Sequence, residues 1–158
     1  MQDRLKKIYF ALLAPAVLGF VVIYLLRSLH GLQWFTDPVV AFVAPTIFIL
    51  AVIFAVAGPI FYRSLFAHRW QHYLSVPPLA LFRFERNQTL IAMVTPYLAL
   101  VAYFMELPRF HLAGTFLLAL YAVYYYYPST LRISVEQRIF KAAEAKPLNK
   151  IIYEYRQR

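Results

Sequence analysis

His68 and His72 stand at i and i+4 in the run HRWQH, a spacing that puts two imidazoles on one face of a helix. Two such rings can share a metal ion, but zinc takes three or four ligands, and the connection around them offers a single carboxylate, Glu85. The pair is therefore a weak metal candidate, and a polar helix face is the simpler reading. A second group comprises His30, Glu106, Arg109 and His111, all at the ends of apolar stretches. Haem held between helices needs facing histidines within the apolar zone, and these lie at its edges. Glu106 and Arg109, three apart, predict a surface ion pair of little energetic weight.

The third constellation is basic and aromatic. Arg63, Arg69, Arg83 and Arg86 share one connection with Trp70, and five tyrosines crowd positions 121–127, among them Tyr126 and Tyr127. Tyrosine and tryptophan anchor proteins where membrane meets water. A guanidinium fork matches the oxygens of a phosphate. Together these residues predict a site for an anionic lipid headgroup, formed by Arg63, Arg69, Arg83, Arg86, Tyr126 and Tyr127. The cysteine count is zero, which removes thiol catalysis, disulfides and thiolate metal ligands. No phosphate-cradling glycine loop and no supported Ser-His-Asp pattern occurs, and nothing points to a bound cofactor.

These residues hang on four apolar stretches, 8–26, 39–62, 90–107 and 110–127, whose one charge is Glu106 at the edge of the third. A helix rises about 1.5 Å per residue, so roughly 20 apolar residues cross a hydrocarbon layer of about 30 Å. The expected fold is an all-α bundle of four transmembrane helices filling 1–128, followed by a basic amphipathic tail over 129–158. Only 15% of the residues are charged, against about 25% in soluble domains. Proline falls in three stretches, at Pro15, Pro45 and Pro96, and each predicts a kink because it removes a backbone donor. The first stretch is too long, and lacks the small-residue cleavage site, for a removable secretory signal.

Of the 16 lysines and arginines, only Arg27 and Arg109 fall on the side opposite the rest. The positive-inside rule then puts both termini and the 63–89 connection in the cytoplasm. The net charge of +9 is thereby accounted for by topology and headgroup attraction, which argues against nucleic acid as a partner. Within 63–89, residues 64–74 carry Phe66, Trp70, Tyr73 and Leu74 at helical spacing, and Asn87 or Thr89 is placed to cap the third span. In the tail, Ser134 and Gln137 have capping-box spacing ahead of a helix to about Ala145, with Val135, Ile139 and Phe140 as its apolar side.

No charged residue is expected in mid-span, which speaks against a pump, an ion-coupled carrier or an intramembrane protease. The leading expectation is a non-enzymatic, multi-pass protein of a bacterial inner membrane that binds lipid or organises a complex, as a homo-oligomer or as a subunit. The alternative is a small enzyme acting on a lipid at the cytoplasmic interface through Arg83, Arg86, His68 or His72 and Tyr126. An oligomeric pore is a third reading. The natural absence of cysteine makes the topology directly testable. A cysteine placed at Gln33 should react with an impermeant maleimide from outside the cell, and one at Gln137 only after the membrane is opened.

Overall fold

The computed structural model describes residues 2–30, 37–71 and 76–140, with side-chain surroundings beginning again at residue 40 after the first connection and excluding residue 41. His72, residues 31–36 and the tail from 141 onward lie outside these residues. Every element is helical: α1 (Gln2–His30), α2 (Asp37–Val52), a π-helical turn (Ile53–Ala57), α3 (Gly58–Trp70), α4 (Pro78–Ala92), α5 (Val94–Phe104), α6 (Arg109–Tyr125) and α7 (Thr130–Ile139). Three continuous segments are long and apolar enough to cross a membrane: Gln2–Leu29, Phe42–Trp70 and Pro78–Phe104. The fourth apolar stretch forms α6, which is 17 residues long.

Packing follows the logic of helices in an apolar solvent. Many of the positions between helices are small: Ala44, Ala51, Ala55, Ala92, Ala102 and Ala122 are fully buried, beside a few large residues such as Tyr9 and Phe84. Large apolar side chains such as Leu18, Phe42, Phe61, Leu117 and Tyr124 point outward. Lipid tails are as apolar as leucine, so no hydrophobic force draws leucines inward, and small residues let backbones approach. Gly58 marks one such approach. A Cβ there would meet Cγ2 of Ile91 at 3.0 Å and the Ile53 carbonyl at 3.1 Å.

Proline acts differently from site to site. α1 runs on through Pro15 and α2 through Pro45. The helix of the third stretch breaks at Met93, between α4 and α5, three residues ahead of Pro96. Pro96 has no N–H for the carbonyl four residues back, so the turn before it loses a bond. The π turn immediately precedes Gly58-Pro59, and the Gly58 N–H there reaches back to the Ile53 carbonyl. Widening the turn is one way a helix accommodates a proline ring that would crowd the preceding turn.

Several local expectations are corrected. The third stretch does not begin its helix near residue 90, because α4 begins at Pro78. Asn87 and Thr89 are thus inside a helix and cap nothing; Thr89 Oγ1 donates to the Glu85 carbonyl at 2.9 Å. Glu106 does not pair with Arg109. It lies at a left-handed turn (φ 55°) and meets Arg27 at 3.0 Å, while Arg27 also donates to the Tyr103 carbonyl at 2.7 Å. The turn redirects the Glu106 side chain, so i, i+3 helical spacing does not apply across it. α7 starts four residues before the expected cap: Ser129 is the N-cap, accepting from the Arg132 N–H at 3.2 Å. Ser134 is then mid-helix, donating to the Leu131 carbonyl at 2.8 Å.

Two tyrosines tie α1 to its neighbours. Tyr9 is buried, and its hydroxyl donates at 2.7 Å to the carbonyl of Val123, in the last turn of α6 where carbonyls lack helical partners. Tyr97 donates likewise to the Leu12 carbonyl. Arg27 meets α5 at the opposite end, so α1 lies parallel to α5 and antiparallel to α6. Tyr9→Phe strands the Val123 carbonyl in an apolar setting and should lower unfolding free energy by about 1–3 kcal/mol. Thermal unfolding in mild detergent, compared with exposed Tyr124→Phe as the control, measures it.

Candidate functional site

The end of the bundle where α1 begins and α3 and α6 finish holds the chemistry. Residues from four elements meet there. Glu85 on α4 pairs with Arg132 on α7 at 3.0 Å, and Arg63 on α3 pairs with Glu136 on α7 at 3.1 Å. Arg132 also donates to Gln88 Oε1 at 3.1 Å, and Gln88 in turn donates to the Pro59 carbonyl at 3.4 Å. The Arg132 guanidinium sits 4.9 Å from the centre of the Tyr126 ring. Glu85 is 2% exposed and Glu136 5%, so both carboxylates are inside the protein.

Helical spacing explains why one short helix can do this. Arg132, Glu136 and Phe140 recur every four residues and so share one face of α7 and its C-cap. α7 offers a cation and then an anion, and the bundle answers with an anion on α4 and a cation on α3. Phe140 completes the stripe, packing edge-on against Phe66 at 5.1 Å and Phe84 at 5.4 Å. The buried face is therefore Ile133 and Glu136 with Phe140 packed beside them; of the expected apolar side, Val135, Ile139 and Phe140, the first two are exposed.

The cluster is charge-balanced but not fully hydrogen-bonded. Glu85 Oε1, Glu136 Oε2 and Arg132 Nη1 are buried without a hydrogen-bond partner. Burial pushes the Glu136 carboxyl above the ordinary carboxylate range, against the opposing pull of Arg63 and then Arg132. A buried pair gains little over an apolar replacement, but losing one partner leaves an uncompensated charge.

Beside this cluster lies a groove of about 390 Å³ between α3 and α4. Arg69 and Arg83 line it with Tyr62, Trp70, Leu79 and Asn87. Its base is a stack of rings: Tyr62 on Phe84 at 5.7 Å and Phe66 on Phe84 at 4.3 Å. Asn87 donates to the Tyr62 hydroxyl at 3.0 Å and accepts from Arg86 at 3.2 Å.

The arginines expected to act together are thus divided. Arg69 and Arg83 share the groove. Arg63 is engaged by Glu136 and Arg86 by Asn87. Tyr126 is buried under Arg132, and Tyr127 packs against Tyr9 at 5.5 Å, away from the groove. His68 is exposed on α3. Sequence reasoning noted Glu85 only as a lone carboxylate and gave Arg132 and Glu136 no role. Their one local signal was the opposite charges at i and i+4 in the tail, which pointed as readily to a solvated face. Set against known proteins, the chain matches no family model, no curated protein and no solved structure.

Arg132→Met should destabilise the protein by about 3–5 kcal/mol by leaving Glu85 buried and unpaired. Adding Glu85→Met should restore at least half of that loss. Chemical or thermal unfolding of the two variants in the same detergent checks the order.

Proposed function

We propose that this chain is a non-enzymatic, multi-pass protein of a bacterial inner membrane that binds an anionic lipid at the Arg69–Arg83 groove. The observation that carries the reading is that groove itself: two arginines from different helices line one aromatic cleft, with no carboxylate among its lining residues. In this reading α6 is the fourth span, both termini are cytoplasmic, and the groove sits at headgroup depth. The 14-to-2 distribution of basic residues supports that orientation. Arginine stems lie along apolar surface while their heads meet phosphate, which suits this depth.

The lining supports binding over catalysis. Its polar side-chain groups are two guanidiniums, an amide, the Tyr62 phenol and the Trp70 indole, none of which is a ready acid, base or nucleophile at neutral pH. The outward Leu, Phe and Tyr side chains offer surface for further copies or for another membrane protein, and we place the chain in such an assembly.

Arg69→Gln with Arg83→Gln should remove most of the anionic lipid that stays bound through detergent purification, read by native mass spectrometry. Arg109→Gln, on the opposite side of the membrane, should leave retention unchanged. Equal retention in the double variant and the wild type overturns the site.

A further inference from the structure

Resting on that reading, we infer that the headgroup taken by the groove ends in a phosphomonoester, carrying two negative charges, and not in a phosphodiester carrying one. The charge count comes first. Arg27, Arg63 and Arg132 are each matched to a carboxylate, and Arg86 to the Asn87 amide. Arg69 and Arg83 have no carboxylate partner among the described residues, and they line the same cleft. Two uncompensated positive charges in one cleft are balanced by a dianion and only half balanced by a monoanion.

The donors come second. Tyr62 accepts from Asn87, which leaves its own hydroxyl proton to donate. Two guanidinium forks and a phenol make a set of donors, and the side-chain acceptors beside them, the Tyr62 oxygen and Asn87 Oδ1, are already engaged. A terminal phosphate offers three non-bridging oxygens to such a set, and a diester offers two.

The apolar surroundings identify the ligand as a lipid and not a soluble phosphate. Leu79 forms part of the wall of the groove and also part of a second cleft of about 400 Å³, lined by Pro78, Phe82 and Arg4. Leu79 thus stands between the polar groove and a mainly apolar one beside it. A molecule with a phosphate in the first and an acyl chain along Leu79 and Phe82 fits both.

The test uses full-length protein in nanodiscs of phosphatidylcholine, alone or doped with phosphatidylglycerol or phosphatidic acid at equal total negative charge. Bound lipid is counted by native mass spectrometry. At pH 8 phosphatidic acid should be retained about tenfold more tightly than phosphatidylglycerol, the effect of about one further charge-assisted hydrogen bond. That preference should shrink as pH falls through about 6, where a phosphomonoester loses its second charge. Arg83→Gln should bring phosphatidic acid down to the phosphatidylglycerol level. Glycerol 3-phosphate at matched concentration should not displace the lipid. Equal retention of the two anionic lipids overturns this inference while leaving anionic-lipid binding intact. If neither exceeds phosphatidylcholine, both readings fall. Displacement by glycerol 3-phosphate as effective as by added lipid overturns the lipid assignment.

Discussion

The pairing of Glu85 with Arg132 is the contact on which this end of the molecule depends. A carboxylate so thoroughly buried in an apolar bundle is strongly disfavoured unless a cation is held against it. The cation comes from α7, after the last of the bundle helices, so satisfying Glu85 requires α7 to fold back onto α3 and α4. Once there, α7 brings Glu136 to Arg63 and Phe140 to the ring stack. The tail helix is thereby part of the structure and not a surface appendage.

The same contact shapes the groove. Phe66 and Phe84 form its base and also receive Phe140, so the position of α7 bears on the position of those rings. Arg63 is drawn toward α7, which leaves Arg69, farther along α3, and Arg83, on α4, to line the cleft. Two neighbouring features with opposite charge accounts result: a closed cluster whose cations and anions cancel, and an open groove whose cations do not. The closed one holds helices together, and the open one has capacity for an anion from outside.

The remainder of the bundle is held by less specific means. Alanine and glycine between helices bring them close, and tyrosine hydroxyls tie α1 to its neighbours by donating to carbonyls, one of them at the end of α6. Each is a modest contribution, typical of a protein whose solvent already suits its apolar side chains.

Much of this was legible in the sequence, because the determining quantity was local. Apolar runs of sufficient length must be helices where backbone groups have no water to bond. Their lengths and order gave the all-helical class and three helices long and apolar enough to cross a membrane, and the arginine and aromatic residues around 63–86 lie where the groove is found. The sequence could not say which arginines would be consumed by partners. Glu85 and Arg132 are 47 positions apart, and Arg63 and Glu136 are 73, so no spacing rule joins them. Nor could it fix where α4 begins, since Arg83, Glu85 and Arg86 read as a polar connection until a tertiary partner makes their burial tolerable. Local chemistry decides which segments become helices; only the docked helices decide which charges are neutralised inside and which are left lining an open groove.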